Sequence, residues 1–495
     1  MATGLSWIDT AVIACLMAFV TWTGHNLSGR ISDRTSFFQA SGSLPWWAVS
    51  ASIVATLVSS VTFVSVPANV FKEGGNLTYL QLIIGLAFGK ILVAWLVARP
   101  FYLSRGIHTS FEYVSARIDR PTGEASMLLG LVLNVITSGV KLLTASIVLD
   151  VITGWGVPAC AASVVAIGVL WSALSGIKTV IWTDFLLFVL FTVGAVFALL
   201  FLVFELNSSL MSALVTLDEK AKLVMFDTST DPKVRYTIWT GILGGFALTL
   251  AQAGTQGTWQ RVRACRSPAD AHRAYAWSAA FYAMHLVILA VGLGLAAFYA
   301  ERGLPQEVSA VLQQSPDRIF PYFIATEIPL GISGLFFASI FAAAISTLDS
   351  TLAESADLSV RHIYEKLQKT KRSESHYLRA SRVILILWGL VFFAVTLLFA
   401  RFADQGLLDL TFKLPSYVAG ISFATIVLAR FRIGSFSSFL IGGCVSCVCV
   451  YVLQTNSVAF LYWCPASGLI MLTTVWLIER KRPELGGVVD ISRSG

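Results

Sequence analysis

The sequence predicts an all-α integral membrane protein with about thirteen transmembrane helices. Three observations carry that expectation. The 495-residue chain is 56% hydrophobic, and its charged residues amount to only 13%, where a soluble domain carries about 25%. Mean hydropathy is +0.75. The apolar residues gather in runs long enough to cross a bilayer.

Taken in order, the runs fall near 8–28, 46–70, 77–99, 124–150, 157–175, 179–204, 236–257, 275–299, 319–348, 379–402, 406–429, 434–454 and 458–478. No Lys or Arg precedes the first, and basic residues follow it, so it reads as a retained helix rather than a signal peptide. The net charge of +7 is segregated by loop and is no nucleic-acid footprint. One set of loops holds Arg30 and Arg34; Arg99, Arg105, Arg117 and Arg120; Arg261, Arg263, Arg266 and Arg273; Lys366, Lys369, Lys371 and Arg372; Arg430 and Arg432; and Arg480, Lys481 and Arg482. The alternate loops are poorer in basic residues. The positive-inside rule then puts the N-terminus outside and the C-terminus in the cytoplasm. Of the outside connections, 205–235 is expected to hold a short amphipathic helix, and 301–330 to lie over an outer vestibule.

The seven cysteines sit mostly in these runs. Cys444 and Cys447 have redox or metal spacing, but no His or acidic neighbour, and read as packing residues. The six histidines form no metal-ligand pattern, and His285 reads as a satisfied buried histidine. There is no metal motif, nucleophile–base pair or phosphate loop to suggest an enzyme.

The most informative run ends in Ser339-Ile-Phe-Ala-Ala-Ala-Ile-Ser-Thr-Leu-Asp-Ser350. Small residues recur every fourth position, at Gly334, Ala338, Ala342, Ser346 and Ser350, so one helix face admits a close neighbour. Ser346, Thr347 and Asp349 place oxygens on or beside that face, where they need a partner or an ion. Hard cations take oxygen ligands. Two further segments, Ser50–Thr62 and Gly244–Gln256, are rich in small and hydroxyl residues, and each opens a block of five spans. They read either as interrupted helices at a midplane site or as close-packed ones. Asp184 lies near the end of its span and either snorkels or completes a cation site with Asp349 and Ser350. Lys141 and Lys413 need a partner in the membrane. That partner is either the carboxylate of a solute or a structural one such as Asp409, Asp150 or Glu354. Lys90 is expected to snorkel, and Gln81 to hydrogen-bond.

Four segments together resemble the sodium:solute symporter family over about 30–430: Ala55-Thr-Leu-Val-Ser-Ser-Val-Thr-Phe63, Ile181-Trp-Thr-Asp184, Gln256-Gly-Thr-Trp-Gln-Arg261 and Phe341-Ala-Ala-Ala-Ile-Ser-Thr-Leu-Asp-Ser350. The resemblance implies a core of two inverted five-helix repeats at 36–430. An extra helix at 1–35 precedes it, and two helices and a tail at 431–495 follow. It implies sodium as the coupling ion, held by the carbonyls of Ala55, Val58 and Ala343 and the hydroxyls of Ser346 and Thr347, with no organic cofactor. A second cation site would use Asp184, Ser346, Asp349 and Ser350. The local similarity to sialic acid transporters implies a solute pocket at Ser59, Ser60, Thr62 and Gln81. Two positions depart from that pattern. Ser138 stands where those relatives carry an arginine, with Lys141 nearly one turn on, and Leu187 stands where they carry a glutamine. The expected partners are a small polar solute, sodium and the lipid bilayer. The solute is a sugar, a sialic acid-like compound or another organic anion, carried by alternating access. Proton coupling and a non-transporting solute sensor are the competing readings. No signalling domain follows residue 483, from which transport rather than sensing is expected.

Overall fold

A computed structural model describes residues 6–28, 42–56, 60–104, 106–174, 177–368, 370, 372–402 and 407–480. Among them there is no strand, only an isolated bridge between Leu44 and Cys265. The membrane-type helices are α1 (Trp7–Ser28), α2 (Trp46–Ala55), α3 (Ser60–Phe71), α4 (Leu80–Val93), α5 (Arg120–Thr153), α6 (Val157–Leu174), α7 (Ile177–Phe204), α8 (Gly244–Ala253), α9 (Gln256–Ala264), α10 (Pro268–Phe281), α11 (Met284–Arg302), α12 (Ile332–Ser359), α13 (Glu374–Ala400), α14 (Leu407–Phe431), α15 (Phe436–Thr455) and α16 (Trp463–Arg480). Among the described residues, nine helical stretches are long and apolar enough to cross a membrane. The pair α2 and α3, bent by 56°, makes a tenth.

Both small-residue segments coincide with helix breaks. The first falls between α2 and α3. The second falls at Gly254 and Thr255, where the Thr255 hydroxyl caps α9 by accepting from the Thr258 amide. Ends of this kind leave backbone carbonyls and amides without helical partners. The expected run 319–348 is two helices, not one. Ile319–Thr326 stops, and α12 starts only after Gly331, whose φ of +85° closes a tight connection behind Pro329. The outer connection does hold a short helix, Leu210–Glu219. After it, Lys222 donates to the carbonyls of Val70, Phe71, Lys72 and Gly75 at 2.8–3.1 Å and ties this connection to the end of α3.

The central element is α12. Of its apolar window 89% is buried, against 22% for α13 and 28% for α7, so α12 is surrounded by protein while the others face lipid. It packs on α1, α5, α6, α7 and α13. Its start is held by Asp9 of α1, which accepts from the amides of Gly331 and Gly334 at 2.8 and 2.9 Å and from the Ser333 hydroxyl at 2.8 Å. A carboxylate there favours the positive end of the helix dipole. Between α4 and the α8 segment the contact is backbone to backbone: a Cβ on Gly85 would lie 2.1 Å from the Ile242 carbonyl oxygen. Phe63 on α3 anchors an aromatic cluster with Phe191 and Phe320, ring centroids 5.0 and 5.2 Å away. Pairs of this kind contribute about 0.5–1.5 kcal/mol each beyond burial.

Candidate ion and solute site

The two breaks and α12 meet at a buried charged hub. Asp184 of α7 lies at its centre. It accepts from Ser52 of α2 at 2.6 Å, from the Ser346 hydroxyl of α12, and from Arg261 of α9 at 3.3 Å. Arg261 also donates from Nε to the Ser52 hydroxyl at 3.0 Å, to the Gly257 carbonyl at 3.3 Å, and to the Thr56 hydroxyl. Ser350 stands 3.5 Å from the same guanidinium. Only 3% of Asp184 and 3% of Arg261 are exposed. A buried pair like this stands only where further hydrogen bonds saturate it, and here four helices supply them. Arg261, counted with the loop cations in the sequence, is therefore inside the protein. The carboxylate of Asp184 does not snorkel.

Glu354, two turns beyond Thr347 on α12, faces the start of α9. A Cβ on Gly257 would sit 2.1 Å from its Oε1, so only glycine admits the carboxylate to the positive end of that helix. Asn134 of α5 donates to Glu354 at 3.4 Å.

Beside the hub is a cavity of about 180 Å³. Its wall includes Thr56, Thr62, Lys90, Lys141, Gln252 and Tyr275. Lys141 donates to the Thr56 carbonyl at 3.0 Å and so satisfies one carbonyl freed by the end of α2. Lys90 differs. It is 3% exposed and lies over the Tyr275 ring at 5.7 Å. Among the described residues its ammonium has no hydrogen bond or carboxylate partner. The expectation that Lys90 snorkels is thus corrected: α4 and α10 enclose it and turn it into the cavity. Gln252 likewise leaves its buried Oε1 without a partner among the described residues.

The remaining expected site residues are distributed as follows. Ala55, Ala343, Ser346 and Thr347 are all buried, with Ala55 at the end of α2 and the others on α12. Val58 and Ser59 lie outside the described residues. Thr351 bonds back to the Thr347 carbonyl at 3.1 Å, but among the described residues the Thr347 hydroxyl is given to no carbonyl of α12. That leaves it available to a ligand. The donor set is oxygen throughout and suits a hard cation. Asp349 points to α6, where Ser172 donates to it at 2.6 Å, while Asp184, Ser346 and Ser350 gather round Arg261. Thr62 lines the cavity; Ser60 is buried, with its hydroxyl unpartnered among the described residues. Gln81 donates to the Tyr236 carbonyl and packs between α4 and the turn before α8. Neither Gln81 nor Lys413 lines the cavity, although Phe412 does. His285 is buried with Nδ1 3.2 Å from the Tyr282 carbonyl.

The chain is similar to known proteins over most of its length. The sodium/sialic acid symporter SiaT of Proteus mirabilis (strain HI4320) is 26% identical over 391 residues, covering 78% of this chain and 76% of that protein. The sodium-coupled monocarboxylate transporter 2 of Bos taurus is 28% identical over 365 residues, covering 70% of this chain and 56% of that protein. A substrate-bound, outward-open structure of a Na+-coupled sialic acid symporter superposes with a TM-score of 0.84 at 23% identity, over 96% of this chain and 98% of the other, and so shares its fold. The profile described as "Sodium:solute symporter family" matches residues 37–442. The chain belongs to the sodium:solute symporter family and is an integral membrane protein that couples solute movement to sodium.

Proposed function

We propose that the solute of this sodium-coupled symporter is a small organic anion whose carboxylate meets Lys90. The observation that carries this reading is the buried ammonium of Lys90 on the cavity wall, which has no hydrogen bond or carboxylate partner among the described residues. Burying a lone charge is unfavourable, and an anionic solute removes that penalty each time it binds. One relative is named for monocarboxylates and another for sialic acid, and both names support an acidic solute. The cavity volume of about 180 Å³ favours a short solute, since a cavity of about 150 Å³ holds a benzene-sized molecule. Lys141, engaged at Thr56, serves the helix break first and the solute second.

Sodium is proposed to bind between α2 and α12, at the carbonyls of Ala55, Val58 and Ala343 and the hydroxyls of Ser346 and Thr347. In that position it would hold the end of α2 against α12 and favour the solute-competent arrangement, which is sufficient for coupling. Asp184 and Ser350 are proposed as a further cation-sensitive locus beside Arg261.

The membrane layout we propose has thirteen crossings. It is supported by the nine spans, the bent α2–α3 pair, and three shorter apolar helices, Trp7–Thr23, Val157–Ala173 and Ile238–Ala253. The core at 36–430 is proposed to be two inverted repeats, α2–α7 and α8–α14, after an extra helix at 1–35 and before two helices and a tail at 431–495. Matching contacts support it. Helix α4 packs on α8 as α10 and α11 pack on α2 and α3; α6 packs on α12 as α13 packs on α5; and α7 packs on α12 as α14 packs on α5. Loop charge supports an outside N-terminus and a cytoplasmic C-terminus.

Charge gives the test its sharpest form. One sodium with a monoanion moves no net charge, so a tenfold sodium gradient offers only about 1.4 kcal/mol. A second sodium would add about 2.3 kcal/mol per 100 mV of membrane potential. Uptake of labelled short carboxylates, sialic acids and hexoses is measured in proteoliposomes, with a sodium gradient or with potassium in its place, at two clamped potentials. Sodium-dependent accumulation of a carboxylate is the expected result, and its response to potential counts the sodium ions. Accumulation of a neutral hexose alone would overturn the assignment of the solute.

A further inference from the structure

A second, larger cavity of about 1310 Å³ opens at one end of the helix bundle. Its wall carries five arginines from separate stretches of chain. Arg99 follows α4, Arg117 ends the short helix Ser110–Arg117, Arg273 belongs to α10, Arg430 ends α14, and Arg432 lies just beyond it. Among the described residues, no carboxylate lines this cavity. The nearest ion pair is Arg273 to Asp270, at a long 3.8 Å. His272 on the same wall leaves its Nε2 without a partner among the described residues.

Loop charge bias alone does not account for the arrangement. A neighbouring cavity flanks the same short helix through Glu112 and Ser115, while the basic one takes Ala116 and Arg117. That neighbour is internally neutralised: Glu124 pairs with Arg120 at 2.9 Å and with Lys366 at 2.7 Å. Two adjacent cavities thus share one helix, and only one has been left without anions. The dipole at the end of α14 favours Arg430 and Arg432, but it does not reach Arg99, Arg117 or Arg273. Arg432 also holds a left-handed φ of +57°, a conformation that disfavours a residue with a Cβ by about 1–2 kcal/mol and that glycine usually fills at this place.

The mouth of the cavity carries exposed apolar side chains. Trp95 and Leu103 line it and are 69% and 55% exposed. A tryptophan beside arginines at the end of a span marks the headgroup level of a bilayer. Guanidinium groups present paired N–H donors that match phosphate oxygens, and basic pockets between spans suit anionic headgroups.

We propose that this cavity binds the phosphodiester headgroup of an anionic phospholipid, with the acyl chains lying along Trp95 and Leu103. The lipid then bridges α4, α10 and α14, three elements that border the solute cavity through Lys90, Tyr275 and Phe412. The proposal does not depend on which solute is carried.

The test uses the full chain in neutral detergent. Its unfolding temperature is followed while phosphatidylglycerol, phosphatidylcholine or inorganic phosphate is added. Native mass spectrometry counts the lipids retained. Phosphatidylglycerol is expected to raise the unfolding temperature, and phosphatidylcholine and inorganic phosphate are not. The double variant R430Q/R432Q is expected to lose at least half of that shift and one retained lipid, while R120Q, in the neutralised cavity, keeps both. If the double variant does not fold, R99Q replaces it with the same expectation. An equal phosphatidylglycerol response in R99Q or R430Q/R432Q and in R120Q would overturn the proposal, because the effect would then be one of general charge. An equal response to inorganic phosphate would overturn it in favour of a soluble anion.

Discussion

Two charged regions stand side by side in the middle of this protein and are built in opposite ways. In the hub, Asp184 and Arg261 share Ser52 and take further bonds from Ser346, Thr56, Gly257 and Ser350. Across the cavity, Lys90 is as deeply buried and, among the described residues, meets the face of Tyr275 without a hydrogen bond or carboxylate partner. Saturation makes the hub a clasp among α2, α7, α9 and α12. Lys90, with no hydrogen bond or carboxylate partner among the described residues, is the proposed receptor for the solute. Burial alone does not separate structural from functional charges; the count of partners does.

The strongest test of the contrast is to open the clasp. Asp184→Ala leaves Arg261 buried without its counterion, and removal of one member of such a pair costs about 3–5 kcal/mol. A large fall in unfolding temperature and loss of uptake are expected. Wild-type stability in this variant would mean that the hub does not hold the helices together.

Gly257→Ala comes next, because the new methyl would meet the Glu354 carboxylate. Overpacking of this kind costs about 1–3 kcal/mol. Uptake is expected to fall with stability, and the second change Glu354→Ala is expected to restore part of the stability. Simple additivity of the two changes would separate Gly257 from Glu354.

On the other side of the contrast, Lys90→Met should move stability and transport in opposite directions. It removes an unpaired charge, so the unfolding temperature is expected to hold or rise. The solute loses a charge-assisted bond worth about 1.5–3 kcal/mol, which is roughly a ten- to hundredfold rise in KM at about 1.4 kcal/mol per decade. A variant that unfolds early and keeps its KM would make Lys90 structural and erase the difference between the two regions.

The smallest expected effect belongs to the ion. Thr347→Ala removes one of five proposed oxygen ligands and is expected to raise the sodium concentration for half-maximal uptake about three- to tenfold, or about 0.7–1.4 kcal/mol. Stability in potassium should be unchanged. An unaltered sodium dependence would exclude Thr347 from the site.

Much of this was legible in the chain, and the misses share one cause. The bend between α2 and α3 and the break at Gly254–Thr255 coincide with segments dense in small and hydroxyl residues, and the oxygens of α12 follow from four-residue spacing. Lys90, Lys413 and Arg261 were the positions where local reading fell short. Arg261 follows an apolar run and sits two and five residues before Arg263 and Arg266, so it reads as a loop cation. Its burial arises because α9 turns back into the bundle after the break. Lys90 near the end of a span reads as snorkelling until α10 is seen to cover it. Lys413 is one residue from the cavity-lining Phe412, and the rotation of α14 that turns it aside has no mark in its sequence.

The sequence by itself determined that the chain lives in a membrane, where most of its apolar runs fall, which helix carries the oxygens, and to which family it belongs. These properties depend on composition and on spacings of a few residues, and both the bilayer and the helix repeat read them locally. Only the tertiary structure decided which charges are paired. The partners of Asp184 lie 77, 132 and 162 positions away along the chain, and whether they meet depends on how helices rotate and cross. Close packing sets those rotations collectively, so no single stretch of sequence records that Arg261 has a carboxylate partner while Lys90 has none among the described residues.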